Sequence, residues 1–385
     1  MTIGITTFGC DSGRSGIGRY AVQLLKAMAG LAPAERFEVV VHADERTVFV
    51  PDSPAFSALP AATAPRNPAL SVAWHQAALP IMAAARGWDA LFLPAGNRRL
   101  PLWAPCPLVG TLHDMSSLHV GGKYDAAREL YIRRVLPVLY RRLDRVVTVS
   151  ESTARDLVDH AGVPRDRIRV TPLGVDAEAF RPVPPEAAAA TARRLGIDGP
   201  FVLYVSRIEH PGKNHVRLIR AFDRLKSARP GLPHRLVLAG PDWTRAADVH
   251  AVAAAAAHAR DVRFLGFVDA ADLASLYSAA EVVAFPSLFE GFGLPVIEAM
   301  ACGAPVACSD RSSLPEVAGD AAILFDPDDE AAIASAIGRL LADPGLRADL
   351  SRRGLERSRS YRWERTAAAT LDAIREACPA AAGRR

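Results

Sequence analysis

Phe285-Pro286-Ser287-Leu288-Phe289-Glu290-Gly291-Phe292-Gly293-Leu294-Pro295-Val296-Ile297-Glu298-Ala299-Met300-Ala301-Cys302-Gly303 reads as the joint of a parallel α/β unit. The run before it, Glu281-Val282-Val283-Ala284-Phe285, is short and apolar, as in a buried strand. Pro295 suits the start of a helix, where its missing N–H has no intrahelical partner to lose. Gly303 ends that helix, and Ala304 to Cys308 is the next strand. The loop therefore sets two carboxylates, Glu290 and Glu298, about the positive end of a helix. The backbone N–H groups of Gly291, Phe292 and Gly293 suit an anion there. Two acids facing a phosphate would repel it. They fit if they grip sugar and ribose hydroxyls while amides and separate cations hold the phosphate.

The pattern Ser287-x-x-Glu290-Gly291-Phe292-Gly293-Leu294-Pro295-x-x-Glu298-Ala299-Met300-Ala301-x-Gly303-x-Pro305-Val306 resembles the signature of retaining GT-B glycosyltransferases of family GT4. The resemblance implies that Glu290 lies beside the donor sugar and Glu298 binds the nucleotide ribose, with Gly291 to Leu294 lining the donor site. The competing reading, a plain strand–helix turn with two solvated glutamates, leaves the Phe292-Gly293-Leu294-Pro295 loop unexplained.

A chain of 385 residues exceeds what one core usually supports, so two domains are expected. Half the residues are hydrophobic, 23% are charged and the mean hydropathy is +0.10, a soluble globular balance. Lys and Arg total 46 against 42 Asp and Glu, for a net charge of +4 and a pI near 8.9. That excess is too small to argue for nucleic acid. Cys10, Cys106, Cys302, Cys308 and Cys378 are odd in number, scattered and without metal-ligand spacing, which predicts free thiols in a reducing cytoplasm. The sequence opens on a strand with no signal-peptide pattern, and no apolar run is long enough to cross a bilayer.

The first strand runs into Gly9-Cys10-Asp11-Ser12-Gly13-Arg14-Ser15-Gly16-Ile17-Gly18-Arg19-Tyr20. A helix follows, with Ile17, Ala21, Leu24, Leu25 and Met28 on one face. The glycine order 13, 16, 18 reverses the dinucleotide fingerprint, and no tyrosine has a lysine four residues on, so a nicotinamide site is disfavoured. In GT4 enzymes the equivalent loop touches the donor phosphate or the acceptor. The resemblance thus makes Gly16, Ile17 and Gly18 donor-side candidates and Arg19 an acceptor-side one. Asp89 to Pro94 and Pro107 to Asp114 are buried strands with polar ends, where ligands bind in open α/β sheets. His113 is a candidate catalytic group near the donor sugar by resemblance, against the alternative of a satisfied core histidine. Asp114 and Asn97 are acceptor-side candidates.

Residues 123–145 read as helical, with Arg133, Arg134, Arg141, Arg142 and Arg145 among Leu, Val and Tyr. Such a surface attracts anionic lipid, or is simply solvated; Pro137 interrupts the pattern and favours the solvated face. Ser150 is placed to cap a helix from Glu151 to His160. Ile168 to Asp176 with Phe180-Arg181-Pro182 resembles the GT4 hinge segment, and Pro182, Pro184 and Pro185 mark a linker.

The second domain begins at Phe201-Val202-Leu203-Tyr204-Val205-Ser206-Arg207 and continues to Lys213-Asn214. Arg207 and Lys213 can bring two cations to one diphosphate. The resemblance gives them that role, with Ser206 where the family often has glycine. It also puts Phe267 and Val268 at the nucleobase. An amphipathic helix from Tyr361 to about Ala377 is expected to pack back on the first domain. The reading is thus an α/β chain of GT-B type: two Rossmann-like domains with parallel sheets facing across a cleft, residues 1–182 on the acceptor side, 183–360 for the nucleotide sugar, and 361–385 returning.

The predicted reaction transfers a hexose, with retention, from a nucleotide diphosphate sugar to an acceptor hydroxyl; His113, Glu290, Arg207 and Lys213 are its candidate catalytic residues. No metal and no further cofactor are expected, since no Asp-x-Asp cluster is found and two cations are available. The pattern Ser313-Leu314-Pro315-Glu316-Val317 with Glu209-His210-Pro211-Gly212-Lys213-Asn214 looks closest to bacterial mannosyltransferases of polysaccharide, lipopolysaccharide or glycolipid synthesis, so GDP-mannose is the first donor, before UDP-hexoses. The acceptor class stays open among sugar, lipid-linked and small-molecule hydroxyls. A GT-B-like nucleotide-sugar epimerase and a non-catalytic binding protein are the rivals. The expected location is cytoplasmic, with the inner membrane face as a possible contact, and oligomeric state is not legible.

Overall fold

The computed structural model describes residues 1–61, 66–97, 99–121 and 130–378. The chain forms two compact units. Among the described residues, the first takes in 1–118, 130–174 and the C-terminal part from Arg362; the second takes in 119–121 and Val175–Tyr361.

In the first unit, β1 (Thr2–Thr6), β2 (Arg36–Val41), β3 (Phe56–Pro60), β4 (Ala90–Leu93), β5 (Leu108–Leu112), β6 (Arg145–Thr148) and β7 (Ile168–Val170) pair in the order β3-β2-β1-β4-β5-β6-β7. Every pairing is parallel. Each residue of β4 and β5 is buried, as expected of parallel strands covered on both faces. β3 has no counterpart in the sequence reading. It is an edge strand ending at Pro60, a residue that an inner strand would not tolerate because it donates nothing to the ladder.

Helix α1 (Gly16–Gly30) is capped by Ser15, whose hydroxyl accepts from Gly18 N at 3.2 Å. Its buried face differs slightly from the expected one. Ile17 is only half-buried, and Tyr20 is fully buried with its hydroxyl 2.9 Å from Thr111 Oγ1. A phenol is amphipathic, so a polar partner lets it enter a core that periodicity alone assigns to aliphatics. Helix α2 (Pro68–Arg86) lies between β3 and β4. Of the helix expected over 123–145, the part through residue 129 lies outside the described residues; the chain is helical from residue 130 through a π turn (Tyr131–Val135) and α3 (Leu136–Tyr140), and it ends there, short of residue 145. Pro137 sits at the start of α3, where it costs no hydrogen bond, and Arg145 already begins β6. Helix α4 (Glu151–Ala161) is capped by Ser150 as the sequence indicated.

The C-terminal helix Trp363–Ala377 belongs to this first unit. Arg375 grips Glu35 through two hydrogen bonds of 2.8 and 3.1 Å, and Thr366 Oγ1 donates to the Pro172 carbonyl at 2.6 Å. Gly174 admits the helix start, since a Cβ there would lie 2.6 Å from Trp363 Cγ.

In the second unit, β8 (Phe201–Val205), β9 (Arg235–Ala239), β10 (Val262–Gly266), β11 (Val282–Phe285), β12 (Val306–Ser309) and β13 (Ala322–Phe325) form a parallel sheet ordered β10-β9-β8-β11-β12-β13. Helix α5 (His215–Ala228) follows β8, and α6 (Leu294–Ala301) follows β11. Both units are Rossmann-like. In each, successive strands first build outward in one direction and then cross to the other side. The reversal falls between β1 and β4 in the first unit and between β8 and β11 in the second. Beyond the carboxyl ends of such strand pairs the connecting loops diverge and leave a crevice.

Each unit also buries a neutral histidine. Burial lowers the His75 pKa to about 4 and the His215 pKa to about 3, against 6.5 in the unfolded chain. The unfolded chain therefore binds the extra protons first as pH falls. The stability contributed is complete above pH 6.5 and is lost progressively below it. Each unit should lose about 1.4 kcal/mol per pH unit from its histidine between roughly pH 6 and 4. Thermal unfolding followed from pH 7.5 to 4.5 checks this, and a midpoint that does not fall across the window contradicts it.

Candidate active site

The second unit's crevice is built from two loops, one leaving β8 and one leaving β11. The first carries Ser206, Arg207 and Lys213; the second carries Glu290 to Gly293 and opens α6. Four ties hold them together. Tyr204 donates its hydroxyl to the Lys213 carbonyl at 2.8 Å and lies 3.0 Å from Ser287 Oγ. Asn214, buried at the start of α5, donates to the carbonyls of Pro286 (3.0 Å) and Pro327 (2.7 Å). Leu288 N donates to the Gly212 carbonyl at 3.0 Å. Finally, Lys213 Nζ donates to Glu290 Oε1 at 2.7 Å, with both side chains mostly buried.

That last pair joins two residues singled out for different partners, a phosphate and a sugar. Each satisfies the other, as buried charges must. The loop beyond Glu290 is fixed from behind. Glu290 N donates to Ser312 Oγ at 2.9 Å, and the Ser313 hydroxyl is shared between the carbonyls of Glu290 (2.9 Å) and Phe292 (2.8 Å). With its carbonyls held, the loop leaves the amides of Gly291, Phe292 and Gly293 without a hydrogen bond among the described residues. Gly293 has φ +105°, in the left-handed region that glycine enters without strain.

Arg207 lies 3.3 Å from Glu209 Oε2, and its guanidinium stands 4.9 Å from the Trp243 ring centre. Glu209 is buried, so the arginine both neutralises it and is aimed by it. His215 links this turn to the helix. Its Nδ1 donates to the Glu209 carbonyl at 3.3 Å, and because the ring is neutral its Nε2 accepts from Ser206 Oγ at 3.1 Å. Glu298 is buried on α6, with Tyr277 donating to Oε2 at 3.5 Å. Phe267, 71% exposed just after β10, presents its ring to solvent, while Val268 is buried.

In the first unit the candidates form a network of their own beyond β4 and β5. His113 Nε2 donates to the Pro94 carbonyl at 2.7 Å, its ring meets Tyr20 edge-on at 4.7 Å, and its carbonyl accepts from Thr153 Oγ1 at 3.4 Å. Asn97 accepts from His113 N and donates to the Asp114 carbonyl at 2.7 Å. Asp114 Oδ1 in turn accepts from Ser116 N and Oγ at 3.0 and 2.8 Å. So His113 has Nε2 committed to the protein, and its first task here is to fix the loop after β4. Gly16 faces open space. Gly18 does not: a Cβ there would overlap the Cys10 carbonyl oxygen and lie 2.7 Å from Gly13 Cα, so packing alone requires that glycine. Arg19 is exposed.

Sequence reading did not find Tyr204, Asn214, His215, Ser312 or Ser313. Asn214 and Ser313 alone had a signal, as members of the Glu209-His210-Pro211-Gly212-Lys213-Asn214 and Ser313-Leu314-Pro315-Glu316-Val317 patterns.

The arrangement is a row of free amides and two cations beside two carboxylates. It can neutralise a diphosphate and hold polyhydroxyl groups next to it. The chain is similar to known proteins over most of its length. Residues 191–357 match the family model described as glycosyl transferases group 1, and residues 14–179 match that of glycosyltransferase family 4. The chain is 31% identical over 268 residues to an O-antigen chain mannosyltransferase B of Escherichia coli, covering 69% of this chain and 70% of that protein. It is 36% identical over 283 residues to a D-inositol 3-phosphate glycosyltransferase of Acidothermus cellulolyticus, covering 70% of this chain but 62% of that one. Among solved structures, the sucrose-phosphate synthase of Thermosynechococcus elongatus superposes with a TM-score of 0.76 at 23% identity, covering 98% of both chains. The HepE protein of Anabaena, solved with UDP-glucose, superposes at 0.74 with 19% identity, covering 98% of this chain and 100% of that one. With its two Rossmann-like units of GT-B type and both family models matched in order, the chain belongs to the group 1 glycosyltransferases of family GT4.

Proposed function

We propose that this glycosyltransferase moves a hexosyl group from a nucleotide diphosphate sugar to an acceptor hydroxyl with retention of configuration, and that GDP-mannose is the donor. The observation that carries the reading is the Lys213–Glu290 pair standing beside the unbonded amides of Gly291 to Gly293 at the strand-order reversal. A donor diphosphate draws Lys213 away from Glu290 and takes the amides and Arg207 as further partners. Glu290 is then free to accept from sugar hydroxyls, and Glu298 from the ribose. Phe267 and Val268 flank the base, and Ser206, its proton turned to His215, offers lone pairs to a donor group.

In the reaction the bond from the anomeric carbon to the phosphate oxygen breaks, with its electron pair leaving on the diphosphate. The acceptor oxygen bonds to the same face of that carbon, and its proton passes to the departing phosphate oxygen. Arg207, Lys213 and the α6 amides offset the charge that builds there, the largest contribution such a site can make. In the first unit His113, Asn97, Asp114 and Arg19 are assigned to the acceptor, and Gly16 and Ile17 to the donor. The two cations do the work a metal ion would otherwise supply, so turnover should survive a chelator.

The mannosyltransferase relative supports the donor choice. A second reading, a UDP-hexose donor, has support from the neighbour solved with UDP-glucose. The test is calorimetric and thermal-shift binding of GDP, UDP, ADP and their sugars to the wild-type chain, followed by nucleotide release with candidate acceptors. GDP preference and acceptor-dependent release are expected. UDP preference would move the donor to the second reading, and acceptor-free conversion of the sugar would mean an epimerase. No nucleotide binding by folded protein would overturn the assignment.

A further inference from the structure

The turn that carries Arg207 is zipped to the chain beside it. Beyond Gly240 the segment after β9 pairs again with the segment after β8. Ile208 N donates to the Pro241 carbonyl at 2.9 Å, Trp243 N to the Ile208 carbonyl at 2.9 Å, and His210 N to the Thr244 carbonyl at 3.1 Å. Ile208 and Asp242 form an isolated parallel bridge. Side chains alternate along such an extension, so Arg207 and Glu209 project to one face while Ile208 is buried on the other. The register of the bridge sets Trp243 opposite Glu209, and therefore diagonal to Arg207 on the same face.

The three side chains meet there. The Arg207 guanidinium lies over the Trp243 ring, with 4.9 Å from Cζ to the ring centre, and its Nη2 donates to Glu209 Oε2 at 3.3 Å. Among the described residues these are the partners of the Arg207 side chain. They take different parts of it. A guanidinium carries five N–H donors in its plane; Glu209 occupies one of them, and the indole meets the flat face, where there are none. The two also differ in what they do to the charge. The buried Glu209 cancels it and competes with a phosphate for the donors. The ring holds the cation with no net negative charge and no donor consumed. Trp243 is 57% exposed, so packing in a core does not account for its place; the Trp243 N–H bond to Ile208 and the cation above the ring do.

We infer that Trp243 is a positioning residue for Arg207: its ring holds the guanidinium by the face, so that the N–H donors left over by Glu209 are presented to the diphosphate of the sugar donor. The inference rests on the reading of Arg207 as a diphosphate ligand. A long, 44% exposed side chain samples many rotamers and loses that freedom when it binds. With the ring beneath it and Glu209 beside it, part of that loss has occurred before the nucleotide arrives, which raises affinity without a new contact to the ligand. A ring that stacked on the nucleobase, or one that only filled space, would act whether or not Arg207 were present. A ring that acts through Arg207 has no effect once the arginine is gone.

The test is a double-mutant cycle on the full chain: wild type, Trp243→Leu, Arg207→Ala and the two changes together. Calorimetry gives Kd for GDP or UDP, whichever the wild type binds more tightly, and thermal unfolding is followed alongside. Trp243→Leu should weaken binding about two- to fivefold, the worth of one cation–ring contact at an exposed site. Its unfolding midpoint should stay within about 2 °C of wild type, as for other changes at exposed positions. Trp243→Phe keeps an aromatic face and should stay within about twofold of wild type in Kd. In the Arg207→Ala background, Trp243→Leu should change nothing further. Loss of affinity that persists in that background would overturn the inference and place the ring on the nucleotide itself. Trp243→Phe as weak as Trp243→Leu would also overturn it, since bulk rather than the ring face would then matter. So would Trp243→Leu binding like wild type while Arg207→Ala binds weakly; the diphosphate reading of Arg207 would stand in that case. Arg207→Ala binding like wild type would remove that reading, and the inference with it.

Discussion

Lys213→Ala should lower kcat/KM for glycosyl transfer by about 10²–10³-fold, because it removes a preorganised cation from the oxygen on which charge develops. Nucleotide affinity should fall too, but by less, since Arg207 and the amides of Gly291 to Gly293 remain. The variant has a second effect that the ion pair makes visible. Glu290 is left mostly buried with its 2.7 Å partner gone. That should destabilise the second unit by about 1–3 kcal/mol, the cost of stranding a partly buried charged group. The double variant Lys213→Ala, Glu290→Gln separates the two effects: it should recover much of the stability and none of the turnover. Lys213→Arg should not restore full activity, because a planar fork cannot replace a compact ammonium on a short path between Glu290 and a phosphate. Turnover of Lys213→Ala within about threefold of wild type would remove Lys213 from the catalytic group.

Gly240→Ala is expected to disable the same site without touching any group that meets the ligand. Gly240 follows β9 with φ +150°, and its N–H donates to the Gly266 carbonyl at 2.8 Å. A Cβ here would overlap the Ser206 carbonyl oxygen and lie 3.1 Å from Arg207 N. Both are backbone atoms, so no side-chain rotation relieves the clash, and the Ser206–Arg207 turn must move away from its place at the end of β8. Backbone strain and displacement together should cost about 2–4 kcal/mol and lower nucleotide affinity by roughly tenfold or more. Gly231→Ala is the control: φ is +91° there too, but a Cβ would meet nothing within 4 Å. It should cost only about 1 kcal/mol of conformational strain and leave nucleotide binding alone. Calorimetry with the preferred nucleotide and thermal unfolding of both variants check the pair of outcomes. Equal effects would show that strain alone, not the push on Arg207, is responsible.

What could be read from the residues in order is what local chemistry encodes. Short apolar runs, a proline at a helix start and glycines at strand ends are signals within a few positions of each other. They placed Glu290, Arg207, Lys213 and His113 beyond strand ends, and Ser150 as a cap, before any coordinates. The helix over 123–145 and the buried face of α1 came out less well, because both depended on contacts. The first ends at Tyr140, because Arg145 already opens β6, and Thr111, in a strand far along the chain, gives Tyr20 a polar partner that periodicity cannot supply. β3 was hidden because an edge strand carries only half the apolar signal of an inner one.

The tertiary structure alone decided how the candidates stand to one another. Lys213 and Glu290 are 77 positions apart, and nothing in either neighbourhood says that they pair. His113 was a candidate by its place at a strand end, yet whether its Nε2 faces a ligand or the Pro94 carbonyl depends on how two strands align. Gly18 looked like a ligand glycine and is required by the Cys10 carbonyl; Gly240 drew no notice and guards the turn that carries Arg207. A sequence specifies the backbone conformations open to each short segment, and from these the strands, helices and loop ends follow. Which side chains then meet is set by parallel pairing across the sheet, which joins residues whose separation along the chain bears no relation to their separation in space.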